Sequence, residues 1–222
     1  MPGSLGRVFI GWDSRMAEVS DVLAYSLKKH SKKPLEINHL KLPSLGLNRV
    51  FDPLASTEFT YSRFLVPFLC GYQGKALFMD NDMLCFSDIH EILDLDMTDY
   101  ALRVVKHDYK PKSATKMDSR VQTVYPRKNW SSLMLLNCAK LRCWTKEAVE
   151  TRTGAWLHRF EPIPDAQIGD IEPVWNVLDE IRPDTKLVHY TEGGPWFEEK
   201  KDHPFGKIWF DYREEMRAAK LT

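Results

Sequence analysis

Apolar positions fall along the chain in short blocks whose spacing switches between the periods of strand and helix. Val8 to Ile10 is an apolar run closed by Gly11, Trp12 and Asp13, after which Val19, Val22, Leu23 and Leu27 recur at helical intervals. Strand, turn, helix is the order this predicts. Leu35 to Leu40 alternates as a second strand, and Tyr61 to Cys70 carries a helical apolar face broken at Pro67, which lacks the amide a regular helix needs. Lys75 to Met79, bounded by Gly74 and Asp80, is the best candidate for a buried strand.

Downstream, Asp88 is placed to cap a short helix through Ile89, Ile92 and Leu93, and Tyr100 to Lys106 predicts a further strand. Leu133 to Leu136 is another apolar run, ending in Asn137. A single helical stretch is expected from about Thr145 to Phe160, then a late strand from Lys186 to Tyr190 and a terminal helix from Ile208 to Leu221. Strands alternating with helices in this order predict an α/β fold, with a mostly parallel central sheet flanked by helices, in one domain over residues 1–222.

Composition narrows the class. Among 222 residues, 31 Lys+Arg balance 31 Asp+Glu, for a formal net charge of +0. A nucleic-acid partner is not expected, because displacing counterions from phosphates takes an excess of cations. A hydrophobic content of 43% suffices for a full core. No apolar run reaches the roughly 18 residues of a bilayer span, and the N-terminus lacks the apolar segment of a secretory signal, so a soluble, cytoplasmic protein is expected. Cys70, Cys85, Cys138 and Cys143 form no C-x-x-C pair and are expected to be reduced and packed. The balance conceals one basic interval: from His107 to Lys128 six Lys and Arg face two Asp, a net of +4. Such a segment is a solvated loop on composition, or a flap that closes over an anionic ligand.

Candidate chemistry begins at Asp80-Asn81-Asp82, where the predicted buried strand ends. In extended chain, residues i and i+2 point the same way, so both carboxylates can face one point beyond the strand's carboxyl end, where open α/β sheets bind ligands. Two carboxylates that close repel unless a proton or a cation lies between them, and oxygen ligands favour magnesium or manganese. A D-x-D triplet alone is as easily a solvated acidic turn. His189 follows a late strand and precedes Gly193 and Gly194, which allow a backbone to approach phosphates; a structural histidine is the plain alternative. Arg63 is a surface ion-pair partner or a guanidinium that reaches a phosphate or sugar hydroxyl. Trp12 can stack on a nucleobase or pack against the next helix, and Asp13 can cap that helix.

Taken in order, the blocks Phe9–Asp13, Tyr61–Phe64, Ala76–Asp82, Ser131–Asn137, Trp175-Asn176 and His189–Trp196 resemble the retaining, family-8-like glycosyltransferases of the GT-A fold, Rossmann-like transferases of nucleotide-diphospho-sugars. The matching blocks span about residues 7 to 197. The resemblance implies that Asp80, Asp82 and His189 hold a manganese or magnesium ion that also binds the diphosphate of a UDP-sugar. It implies that Ile10, Gly11, Trp12 and Asp13 contact uridine, that Arg63, Asn81 and Gln167 lie on the donor side, and that Gly193, Gly194 and Trp196 lie near the phosphates. A carbohydrate hydroxyl would be the acceptor. Any anchoring or acceptor-specifying domain is expected on another chain or on sequence beyond these residues, as part of a larger multidomain protein.

The chain also departs from the family pattern. Gly194 stands where many members have a lysine before the Pro-Trp pair, Trp130 stands where they have an asparagine near the donor sugar, and their Asp-Gln pair survives only loosely as Asp165-Ala166-Gln167. Asp165 and Asp170 are the nearest candidates for a nucleophilic carboxylate; without one, retention proceeds by front-face departure and attack. Two other readings stand beside this one. A haloacid-dehalogenase-type phosphatase would use Asp80 as nucleophile and Asp82 as general acid, although Leu84 holds the place of its usual threonine. A non-catalytic nucleotide-sugar binding module would bind without turnover.

Overall fold

A computed structural model of the chain describes residues 5–49, 57–108 and 126–220. The first strand, β1 (Gly6–Gly11), leads through a 3-10 turn at Ser14–Met16 into α1 (Ala17–His30) and then β2 (Leu35–Leu40). Helix α1 buries Val19, Val22, Leu23, Ser26 and Leu27 on one face, with Glu18 in its first turn and Lys28, Lys29 and His30 in its last, the charge order its dipole favours. A one-turn α2 (Leu42–Leu45) and a 3-10 turn at Ser62–Leu65 that runs into α3 (Val66–Leu69) precede β3 (Lys75–Met79). The helical face expected over Tyr61–Cys70 is thus short and mixed, with Pro67 near its middle.

Next come β4 (Met83–Cys85), α4 (His90–Leu93), β5 (Leu102–Val104) and β6 (Leu133–Asn137). Asp88, expected as the N-cap, lies one residue before the N-cap Ile89 of α4, and its carboxylate accepts from the His90 amide at 3.1 Å. The helical stretch expected from Thr145 to Phe160 is two helices, α5 (Lys146–Thr151) and α6 (Gly154–His158). The reason is local: Arg152 and Thr153 are extended, and Thr145 and Thr153 each cap a separate helix through their side chains. The chain closes with β7 (Ile168–Asp170), β8 (Val177–Leu178), β9 (Leu187–His189) and α7 (Gly206–Ala219).

Six strands form the main sheet in the order β2-β1-β3-β6-β5-β7. Pairing is parallel except along β6, which runs antiparallel to both β3 and β5. Since β5 and β3 therefore run the same way, β1, β3 and β5 all deliver their carboxyl ends to one edge. A small second sheet, β4-β9-β8, packs against α1 and α7 through Met16, Val19, Leu84, Val188, Tyr190, Trp209 and Met216. Cys85 and Cys138 are buried and all four cysteines are free thiols; burial pushes the Cys85 thiol up to about 12. Among the described residues no helix is long and apolar enough to cross a membrane. Most of the basic interval, residues 109–125, lies outside the described residues.

Candidate active site

The turn between β3 and β4 carries Asp80, Asn81 and Asp82 past the carboxyl end of the central strand β3. Alternation separates the three side chains. Asn81 turns inward, is wholly buried, and its amide donates to Ser20 Oγ at 3.4 Å, while Ser20 donates to the Gly11 carbonyl at 3.2 Å, which ties the turn to β1 and α1. The two carboxylates face the other way and meet His189 from β9. Asp80, Asp82 and His189 each present one ligand atom, all within 4.8 Å of one another. A buried apolar strand on one side and a second sheet on the other hold that spacing.

Arg63 joins this group from the 3-10 turn before α3. Its Nη1 lies 2.8 Å from Asp80 Oδ1 and also donates to the Ser131 carbonyl at 2.9 Å. Nε donates to the Thr60 carbonyl at 3.2 Å, and the guanidinium lies about 5 Å from the Phe59 and Phe78 rings. With side-chain exposures of 7% for Arg63 and 15% for Asp80, this is a buried pair and not a surface salt bridge. One half of the charge conflict between the two carboxylates is therefore met by the protein itself.

His189 meets the other half. Its Nε2 lies 3.2 Å from Asp82 Oδ1 and its Nδ1 lies 3.0 Å from Asn176 Oδ1. Asn176 spends its amide group on Ser132 Oγ at 2.9 Å, and Ser132 donates onward to the Asn129 carbonyl at 2.6 Å. Asn176 Oδ1 must therefore accept and Nδ1 of His189 must carry a proton, which leaves Nε2 to face the carboxylates, where it donates to Asp82 when the ring is charged. Burial disfavours the charged ring, but the carboxylates of Asp82, Asp80 and Asp179 outweigh it and raise its pKa. Two oxygens and one imidazole nitrogen at this spacing suit a divalent cation, whose binding would displace the Nε2 proton of the charged ring while Nδ1 keeps its own.

The remaining expected positions are distributed around this centre. Gly193 is at φ 96°, where a side chain would be strained, and its amide donates to the Tyr190 carbonyl at 3.0 Å. A Cβ on Gly194 would stand 2.1 Å from the ring of Trp196, which is itself wedged 5.5 Å from Tyr190 and 5.3 Å from Trp209. Trp196 thus supports the glycine turn from the core side. Ile10 is wholly buried in β1, and Gly11 lies against the Phe59 ring. Asp13 is also buried; its carboxylate accepts from Arg15 Nε at 2.9 Å, from the Arg15 amide at 3.0 Å and from the Glu58 amide at 3.2 Å, so it caps the turn into α1. Trp12 lies under the Lys41 ammonium, 5.3 Å from its ring centre.

Asp165, Gln167 and Asp170 lie elsewhere. Register places Asp170 level with Phe78 of β3 but three strands away, roughly 14 Å at the usual interstrand spacing. Its carboxylate is 73% exposed and pairs with Lys106 at 3.1 Å, while that of Asp165 is 86% exposed and pairs with Arg127 at 2.5 Å. Gln167 ends the short turn Asp165–Gln167. Asn176 and Ser132, which orient His189, were inside the ordered blocks but have no local pattern that announces their role. Only the fold brings them to the histidine.

A mixed α/β sheet that carries a D-x-D turn and a histidine to one edge is the architecture of the GT-A glycosyltransferases. Glycosyltransferase GlyE of Streptococcus pneumoniae TIGR4 superposes with a TM-score of 0.60 at 14% identity, over 95% of this chain and 60% of GlyE. Galactosyltransferase LgtC, solved with donor and acceptor sugar analogs, gives 0.60 at 11% identity over 94% of this chain and 95% of LgtC. The chain belongs to glycosyl transferase family 8, which it matches over residues 13–181. Protein CDI of Arabidopsis thaliana is 46% identical over 94% of this chain and 86% of its own length. The ordered blocks also suggest the N-terminal domain of a larger chlorella-virus protein as an individual match. A glycosyltransferase involved in glycosylation of the PBCV-1 major capsid does share the fold, with a TM-score of 0.55, but at 11% identity, which carries no statement of origin.

Proposed function

We propose that this protein transfers a hexosyl or deoxyhexosyl group from a UDP-sugar to a carbohydrate hydroxyl, with retention of configuration and with manganese or magnesium at Asp80, Asp82 and His189. The observation that carries this reading is the convergence of those three side chains, with Asn176 holding the histidine so that Nε2 faces the carboxylates. When bound, the cation supplies Lewis acidity that stabilises charge on the departing diphosphate. The chain's own part is to hold the ligands largely apart from solvent, to pair Asp80 with the buried guanidinium of Arg63, and to present the Gly193-Gly194 turn beside His189. Membership of family 8 supports sugar transfer and leaves the phosphatase reading without support.

The exposed, ion-paired states of Asp165 and Asp170 favour front-face transfer over a covalent glycosyl-enzyme. In that route the bond from the anomeric carbon to phosphate oxygen breaks, the acceptor oxygen bonds to the same face, and the hydroxyl proton passes to the departing phosphate. Calorimetry of UDP and a panel of UDP-sugars, with manganese or with EDTA, tests the reading. Metal-dependent UDP binding that Asp82→Ala abolishes is expected; equal binding in EDTA would overturn it. Metal-dependent binding without transfer or hydrolysis of any sugar would instead identify a binding module.

A further inference from the structure

Asp179 lies just past β8, in the left-handed backbone region at φ 52°, a conformation that non-glycine residues adopt sparingly and that clusters at functional sites. Its amide donates to the carbonyl of His189 at 2.9 Å, extending the β8-β9 pairing by one residue beyond Leu178. Its carboxylate then reaches across to the turn that follows the histidine. Oδ2 accepts from the Thr191 hydroxyl and Oδ1 from the Glu192 amide at 3.1 Å. On its other side the same turn is fixed by Asp82, whose carbonyl accepts from the Tyr190 amide at 2.9 Å.

Resting on the reading above, we propose that Asp179 is a positioning residue that sets the Thr191–Gly194 turn for the diphosphate of the nucleotide-sugar. The turn has no regular secondary structure of its own, and its two glycines would leave it conformationally free. Two hydrogen bonds to one charged acceptor remove that freedom before the nucleotide arrives, so less ordering entropy opposes binding. The metal ligands are held separately, by Arg63, Asn176 and the strand ends. Both oxygens of the Asp179 carboxylate are spent on the Thr191–Gly194 turn, so its side chain acts mainly on the phosphate side of the site.

Three variants of the full chain separate this from a general packing role. Asp179→Gly keeps the left-handed backbone and deletes both acceptors, Asp179→Asn keeps one neutral acceptor, and Thr191→Val deletes one donor outside the metal group. Calorimetry with manganese alone, then with UDP plus manganese, reads the two sides of the site. Asp179→Gly is expected to weaken UDP about tenfold, Asp179→Asn and Thr191→Val about threefold each, while manganese affinity stays within about twofold. Amide hydrogen exchange over residues 191–194 should quicken in Asp179→Gly and be partly restored in Asp179→Asn. UDP affinity unchanged in a folded Asp179→Gly or Thr191→Val, or equal losses of manganese and UDP affinity, overturns the inference alone. No UDP binding by the unaltered protein overturns the glycosyltransferase reading and this inference together.

Discussion

Replacing Arg63 with methionine should reveal how far the protein itself, apart from any cation, stabilises Asp80. Methionine retains most of the apolar stem that packs near Phe59 and Phe78 but removes the charge and three interactions: the 2.8 Å ion pair with Asp80, the 2.9 Å bond to Ser131 and the 3.2 Å bond to Thr60. Breaking one partner of a buried pair typically costs 3–5 kcal/mol, and two backbone carbonyls lose donors worth about 1 kcal/mol each. Asp80 keeps 15% of its side chain in water and sits beside His189, which tempers the loss. About 3 kcal/mol is the expected net destabilisation, a fall in Tm of about 6–12 °C for a chain of this size. Urea titration and thermal melts in EDTA measure it directly. Manganese should then recover more stability in Arg63→Met than in the unaltered protein, because its cation takes over the charge that Arg63 no longer meets. A loss below about 1 kcal/mol, the value of a surface pair, would refute the argument that burial makes this interaction strong.

Other consequences follow from the same geometry. Asn176→Ala should lower manganese affinity about 10–100-fold in calorimetry while the fold persists, since Nδ1 of His189 loses the acceptor that orients the ring; unchanged affinity would mean the ring is held by packing alone. Gly194→Ala should cost about 2 kcal/mol in chemical denaturation, because the new methyl meets a Trp196 ring that Tyr190 and Trp209 keep in place. Burial, and then the charge of Arg63, push the His158 imidazole down to about 3, and burial pushes His107 down to about 4. Between those values and 6.5 the unfolded chain binds more protons than the folded one, so their contribution to stability falls as pH falls, with a slope of up to about 1.4 kcal/mol per pH unit for each. His189 has the opposite sign, its pKa being raised, so in EDTA its contribution is complete below pH 6.5 and is lost as pH rises through the folded value. His158→Gln should flatten the acid limb of a stability-versus-pH series in EDTA; an unaltered slope would count against the buried neutral ring.

Much of this was legible along the chain. The strand Lys75–Met79 and its terminal Asp80 need only a local apolar run and a polar stop, and the two-residue period of extended backbone predicts Asp80 and Asp82 on one side, which the structure meets through a turn between β3 and β4. Helix α1 likewise follows from 3.6-residue spacing. β4, β7 and β8, two or three residues long, were not legible, whereas the equally short β5 and β9 lie inside the longer stretches Tyr100–Lys106 and Lys186–Tyr190 that the pattern does mark. The single helix expected over Thr145–Phe160 is divided because two threonine caps compete locally with an apolar pattern that runs through both halves.

The metal group shows the division most plainly. Sequence alone determined that two carboxylates would face one point at the end of a buried strand, because that depends on chain geometry over three residues. It determined that a histidine and two glycines would follow another strand for the same reason. Only the tertiary structure decided that these two strand ends meet, through the antiparallel pairing of Met83 with His189 across the small sheet. It also decided that Arg63 is buried against Asp80, that Asn176 fixes the histidine ring from 13 positions away, and that Asp179 grips the glycine turn. Those contacts join residues through packing and long-range hydrogen bonds, whose partners no local period can specify.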